Sequence, residues 1–157
     1  VHPHPLDWLH FQNSLSYVNA QLRNQPDSAK YLPFTPPAKW ISDIRIDLEK
    51  TGKYIANGFI SFGLAYYFEQ NRIFSAYNTE TTTPAYTLLN ASLGGDLLIN
   101  KKTVAKLYVT GTNLADIAYQ SHLSRLKYAE VNNVNGRSGV YNMGRNISIK
   151  LIGPVDL

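Results

Sequence analysis

The chain contains no cysteine, so neither a disulfide nor a zinc–thiolate centre holds it together. Nor does it contain an apolar run near the roughly 18 residues of a membrane helix, which leaves any membrane role to strands. Charge is scarce as well: Asp, Glu, Lys and Arg make up 17% of 157 residues, against roughly 25% in an ordinary soluble domain. The polarity is supplied instead by Asn, Ser, Thr and 11 tyrosines. The 15 Lys and Arg outnumber the 11 acids and give a net charge of +4, but they are scattered. No basic run interleaves with aromatics, which excludes nucleic acid as a partner. The segments that enzymes need are missing too: there is no G-x-S-x-G, no H-E-x-x-H, no P-loop and no glycine-rich dinucleotide turn. No catalytic role, cofactor or metal is therefore expected. His2 and His4 are separated by proline and lack a third ligand, so they read as part of a rigid turn. The opening VHPHPLDW has no basic, apolar and small-residue order, so an export signal is expected upstream.

What the chain does have is a period of two, the spacing at which successive strand residues fall on opposite faces. Residues 58–69, GFISFGLAYYFE, set Ile60, Phe62, Leu64, Tyr66 and Phe68 against Ser61, Gly63, Ala65 and Glu69. That span has the ~9–11-residue format of an outer-membrane strand rather than the ~5–6 of a soluble one. The pattern recurs. A first strand starts at Trp8, with Leu9, Phe11, Leu15 and Tyr17 on one face, Asn13 as its polar interruption, and His10, Gln12, Ser14 and Ser16 on the other. A second, 40–49, opposes Trp40, Ile44, Ile46 and Leu48 to Asp43, Arg45, Asp47 and Glu49. A fourth spans 86–99, with Leu89, Ala91 and Leu93 against Asn90, Ser92 and Asp96. A fifth, 104–114, opposes Leu107 and Val109 to Lys106, Tyr108 and Thr110. A sixth, 140–152, opposes Tyr141, Met143, Ile147, Ile149 and Leu151 to Asn142, Asn146, Ser148 and Lys150.

The connections alternate, long after the first, third and fifth strands and short after the second and fourth. In an antiparallel meander every second connection emerges at the same end, so the long loops share one end and the short turns the other. This is the format of an outer-membrane barrel, with long extracellular loops and short periplasmic turns. The fold class expected is therefore all-β: an up-and-down antiparallel meander of six long strands. Charge placement agrees, because Asp43, Arg45, Asp47, Glu49, Glu69, Asp96, Lys106 and Lys150 all fall on the polar face. Arg145 is the exception, placed near the long-loop end where headgroups are within reach.

Several segments in succession carry a resemblance: HPHPLDWLHFQNSLSYV, KYLPFTPP, NLAD at 113–116, AYQSHLSRLKY at 118–128 and YNMGRNISIKL at 141–151. Together they resemble the carboxy-terminal part of a TonB-dependent outer-membrane receptor. The resemblance implies that residues 1–157 are the last six strands of a transmembrane barrel of about 22 strands, with the plug domain and the TonB-contacting segment absent from this chain. It also implies a bacterial outer-membrane location and the energy-coupled import of a scarce ligand such as an iron chelate. The partners would be outer-membrane lipid, the rest of the barrel and its plug, and TonB through the absent region. One departure is the ending IGPVDL, since Leu157 stands where such receptors finish on an aromatic residue.

On this reading Ile60, Phe62, Leu64, Tyr66 and Phe68 face lipid, and the charged set faces the lumen or the plug. Tyr119, His122, Arg125 and Tyr128 form the candidate ligand-facing cluster, offering cation, donor and stacking groups on a long loop. The competing role for these four is packing the loop against its neighbours. The alternative for the chain as a whole is a soluble or surface β-barrel module that binds a small apolar ligand, its apolar faces turned inward. Dependence on detergent separates the two.

Overall fold

The computed structural model describes residues 6–48 and 52–153. Six strands form one open antiparallel sheet in sequence order: β1 (Leu9–Ser16), β2 (Lys39–Leu48), β3 (Ile55–Tyr67), β4 (Tyr86–Ile99), β5 (Lys102–Thr112) and β6 (Asn146–Ile152). Three single-turn 3-10 helices, Asp27–Ala29, Ala76–Asn78 and Arg125–Tyr128, all lie in the long connections. No described helix is long and apolar enough to cross a membrane.

The register carries the two-faced pattern across the whole sheet. Phe11 stands opposite Ile44, Ile44 opposite Phe62, and Phe62 opposite Ala91. One row away, Leu9, Ile46, Ile60, Leu93, Val109 and Ile149 follow each other on the same face. The polar interruptions on this face meet: Asn13 is paired with Ser42, and the Trp40 indole N–H donates to the Asn13 side-chain oxygen at 3.3 Å. On the opposite face one row runs His10, Arg45, Ser61, Ser92, Thr110 and Ser148. That face is not uniformly polar, because Ile41, Ala65 and Leu88 make an apolar row toward the long-loop end.

Two irregularities sharpen the sheet at the short-turn end. The β3–β4 register shifts by one between Ala56 and Phe59, where Asn57 takes the left-handed conformation (φ 49°) of a bulge residue. The turn between β4 and β5 is two residues, Asn100 and Lys101, both at positive φ, the hairpin geometry whose twist matches its strands. Gly94 leaves room on the polar face, since a Cβ there would stand 2.7 Å from both the Phe59 and the Tyr108 rings.

A single sheet layer leaves little interior. Among the described residues the buried hydrophobic side chains are Ala56, Ala65 and Leu98. A soluble domain of about 150 residues hides roughly 70% of the surface its unfolded chain exposes, around a core of large apolar side chains. Here the large apolar side chains stay uncovered.

Several sequence expectations are corrected at the strand ends. β1 stops at Ser16, so Tyr17 lies beyond it. β3 stops at Tyr67, which leaves Phe68 and Glu69 in the following loop, with the Phe68 N–H donating to the Ala38 carbonyl. β6 begins at Asn146 rather than Val140, because residues before it are held by other bonds: the Asn142 N–H donates to the Tyr119 carbonyl, and the Arg145 N–H to the Asp116 carboxylate. Arg145 does not reach outward alone, since its Nε donates to the Leu114 carbonyl at 2.9 Å. Lys102 belongs to β5 rather than to the turn. Glu49, His2, His4 and Leu157 lie outside the described residues.

Candidate functional site

The three long connections, 17–38, 68–85 and 113–145, interlock at one end of the sheet. Their contact is polar. Gln70 and Thr83 pair backbone to backbone at 2.9 and 3.0 Å, closing the second connection on itself. The fully buried Gln70 amide then donates to the Thr35 carbonyl at 2.8 Å and the Pro36 carbonyl at 3.2 Å, tying in the first connection. Glu80, 3% exposed, completes that link by accepting from the Phe34 N–H with one carboxylate oxygen and from the Phe74 N–H at 2.8 Å with the other. A buried carboxylate is tolerated when such donors satisfy it.

The third connection enters through His122 and Lys127. His122, 1% exposed, bonds the Thr83 hydroxyl through Nδ1 at 2.8 Å and turns Nε2 toward Glu80 at 3.7 Å, with no hydrogen-bond partner for Nε2. Lys127 donates to the Thr81 carbonyl, the Thr82 carbonyl and the Thr83 hydroxyl at 2.7–2.8 Å. Burial lowers the pKa of His122; Glu80 pulls it up and Lys127 pushes it further down, and the net direction is down. Burial lowers Lys127 as well, against the pull of Glu80.

The cluster expected at Tyr119, His122, Arg125 and Tyr128 is thus split in space. His122 faces the buried interloop core. Arg125 is exposed, with its guanidinium 5.3 Å from the Phe34 ring centre. Tyr128, 38% exposed, accepts a long bond from the Thr81 N–H at 3.4 Å. Tyr119 closes a ladder of three tyrosines: it stacks on Tyr86 at 4.6 Å, and Tyr86 stacks on Tyr67 at 4.5 Å. The Lys39 ammonium extends the ladder, 5.2 Å from the Tyr67 ring centre. Sequence reasoning missed Gln70, Glu80, Thr83 and Lys127, which have no periodicity to mark them.

The charged residues of the strands form two groups on the polar face. Asp47 accepts from the Arg45 Nε at 2.8 Å, its other oxygen lies 2.6 Å from the His10 Nε2, and the Arg45 guanidinium sits 3.9 Å from the Phe59 ring centre. Asp96, 9% exposed, accepts from the Asn57 amide at 2.7 Å and stands 3.7 Å from the Lys106 ammonium. Asp43 and Lys150 share this face by register, whereas Glu69 lies beyond β3. On the other face Phe62 is 58% and Ile149 72% exposed, and Ile60, Leu89 and Leu93 are exposed beside them. No group of His, Asp or Glu among the described residues is placed to hold a metal ion.

Comparison with known protein families, with curated proteins and with solved structures finds no match.

Proposed function

We propose that this sheet is a sector of a larger transmembrane barrel, the carboxy-terminal strands of a TonB-dependent receptor in a bacterial outer membrane. The observation that carries the proposal is the sidedness of a sheet with almost no interior. Large apolar side chains stand exposed on one face of β1, β2, β3, β4 and β6, while Asp43, Arg45, Asp47, Asp96, Lys106 and Lys150 share the other. An apolar face of this extent in water exceeds what a monomer tolerates, and lipid covers it without a partner protein.

The loops supply the direction. All three long connections gather at one end and are cross-linked through Glu80, Gln70 and Lys127, which suits an outward-facing loop cluster held in one arrangement. In this reading the polar face lines the lumen and meets a plug domain, and the receptor imports a scarce ligand, an iron chelate or a molecule of similar size, with energy delivered through TonB. The chain's contribution is transport rather than catalysis. The test is fractionation of the full encoded polypeptide in a host with an outer membrane. Recovery with outer membranes, gel migration that changes on heating, and ligand uptake that depends on TonB support the proposal; a folded, detergent-independent protein in the soluble fraction overturns it.

A further inference from the structure

The short-turn end carries a feature that transport does not use. Between the connection entering β3 and the Asn100–Lys101 turn lies a recess of about 820 Å³, lined among others by Lys53, Tyr54, Ile99 and Lys101. Lys53, Lys101 and Lys102 are all exposed, and none of them makes an ion pair among the described residues. Asp96, three residues before Ile99 in β4, is already engaged by Asn57 and Lys106. Turn geometry fixes where these charges sit, because Asn100 and Lys101 are held at φ 51° and 63° in a two-residue hairpin turn. Lys102 pairs with Ile99, on the face that carries Leu93 and Leu97, so it stands at the margin of the apolar surface. Exposed apolar groups lie beside the cations: Tyr54 at 64%, Ile55 at 51% and Ile99 at 61%.

We propose that this recess is a site for the headgroup of an anionic phospholipid in the membrane leaflet at the short-turn end. The inference rests on the membrane reading above and adds which lipid the barrel selects and where. Three cations with no ion pair among the described residues match one phosphodiester and its neighbours. Ile55 and Ile99 would contact the upper acyl chains, while Tyr54, against which the Lys53 ammonium rests at 5.1 Å, has the amphipathic form of an interfacial side chain. A soluble phosphate has no use for that apolar border, so the lipid is the source of the anion.

The test uses the full encoded polypeptide reconstituted in phosphatidylcholine vesicles containing spin-labelled phosphatidylglycerol or spin-labelled phosphatidylcholine, comparing the motionally restricted fraction of each. Phosphatidylglycerol should be preferred, by a factor that falls roughly fivefold for each basic side chain removed from the anionic surface. In the Lys53→Gln, Lys101→Gln, Lys102→Gln variant the preference should vanish, whereas Lys30→Gln with Arg137→Gln at the opposite end should leave it intact. Salt should weaken the preference in the unsubstituted protein, and single substitutions give the same reading if the triple variant does not insert. Equal association of the two lipids, an unchanged preference in the triple variant, or displacement by soluble glycerol phosphate overturns the site while leaving the barrel standing. Failure of the unsubstituted protein to insert overturns both.

Discussion

Leu93→Arg and Ser92→Arg, adjacent in the middle of β4, put the same charge on opposite faces of the sheet. β4 has 14 residues, and at ~3.4 Å per residue it runs about 45 Å, which at a tilt near 45° gives about 32 Å of depth, the thickness of a hydrocarbon core. Leu93 lies near its midpoint, 50% exposed, between Ile60 and Val109. Ser92 lies between Ser61 and Thr110 on the polar face. In a bilayer, arginine at Leu93 costs roughly 2–4 kcal/mol, a factor of about 30 to 1000 in the folding equilibrium. In water the same change forfeits only the buried half of a leucine, about 1 kcal/mol. Ser92→Arg should stay within about 0.5 kcal/mol in either setting. Denaturant titration of protein folded in vesicles, followed by heat-modifiable gel migration, measures both variants. A cost at Leu93 of about 1 kcal/mol or less, or a larger cost at Ser92, refutes the assignment of the exposed apolar face to lipid.

Epitope tags inserted after Asn78 or Asn135 should bind antibody on intact cells and a tag after Asn100 should not, because the first two interrupt long connections and the third a short turn; the opposite labelling would invert the orientation. Glu80→Ala removes the acceptor of the Phe34 and Phe74 N–H groups, so it should cost roughly 1–3 kcal/mol for each orphaned donor, read as faster amide exchange at both residues. Acid should loosen the same cluster: the packed form holds the His122 pKa below its ordinary value, so the interloop packing is at full strength above ~6.5 and weakens as the pH falls below that, by up to about 1.4 kcal/mol per unit. Protection factors at the Gln70 and Thr83 amides, which are exchange rates corrected for their intrinsic pH dependence, should therefore fall in mild acid, and His122→Gln should flatten that profile; a profile that His122→Gln leaves unchanged would remove the histidine from the account.

How far the sequence spoke depended on periodicity. The span expected for β4, 86–99, is the span observed, because Leu89, Ala91 and Leu93 alternate with Asn90, Ser92 and Gly94 through its middle and a turn begins at Asn100. The same rule overreached at β6, where Tyr141 and Met143 continue the alternation into a segment that hydrogen bonds bind to the third loop instead. Asn142, Gly144 and Arg145 are committed there: the Asn142 N–H bonds the Tyr119 carbonyl, a Cβ on Gly144 would stand 2.5 Å from the Asp116 carboxylate, and the Arg145 N–H bonds that carboxylate. Period two describes what one strand offers a solvent, and cannot register a competing partner 23 to 29 residues away. Glu80 and Lys127 were invisible for the same reason. Each reaches about 46 residues along the chain, to Phe34 and to Thr81, and nothing local distinguishes them from solvated loop charges. His122 was noticed, but burial rather than residue type decided that it faces inward.

The energetics of such a sheet depend on its solvent more than those of a domain with a core. Ladder hydrogen bonds contribute about 0.5–1.5 kcal/mol each in water, where the unfolded chain bonds to solvent, and about 4–6 kcal/mol in an apolar medium, where the alternative is no bond. Transfer to a membrane therefore strengthens the five strand pairings and at the same time relieves the exposure of Phe62, Leu93 and Ile149. The same transfer turns the outer edges of β1 and β6 into the costliest part of the sheet, since each pairs on one side only within it. Roughly half of their backbone groups point away from the sheet, each costing several kcal/mol if left unpaired in hydrocarbon. In the proposed barrel further strands would cover both edges, and the pleat sets their pattern: a neighbour of β1 would place apolar side chains beside Phe11 and Leu15 and polar ones beside His10 and Gln12. In the proposed barrel Phe11 and Leu15 would carry the lipid-facing surface on to that neighbour, while His10, bonded to Asp47 beside Arg45, would carry the polar one.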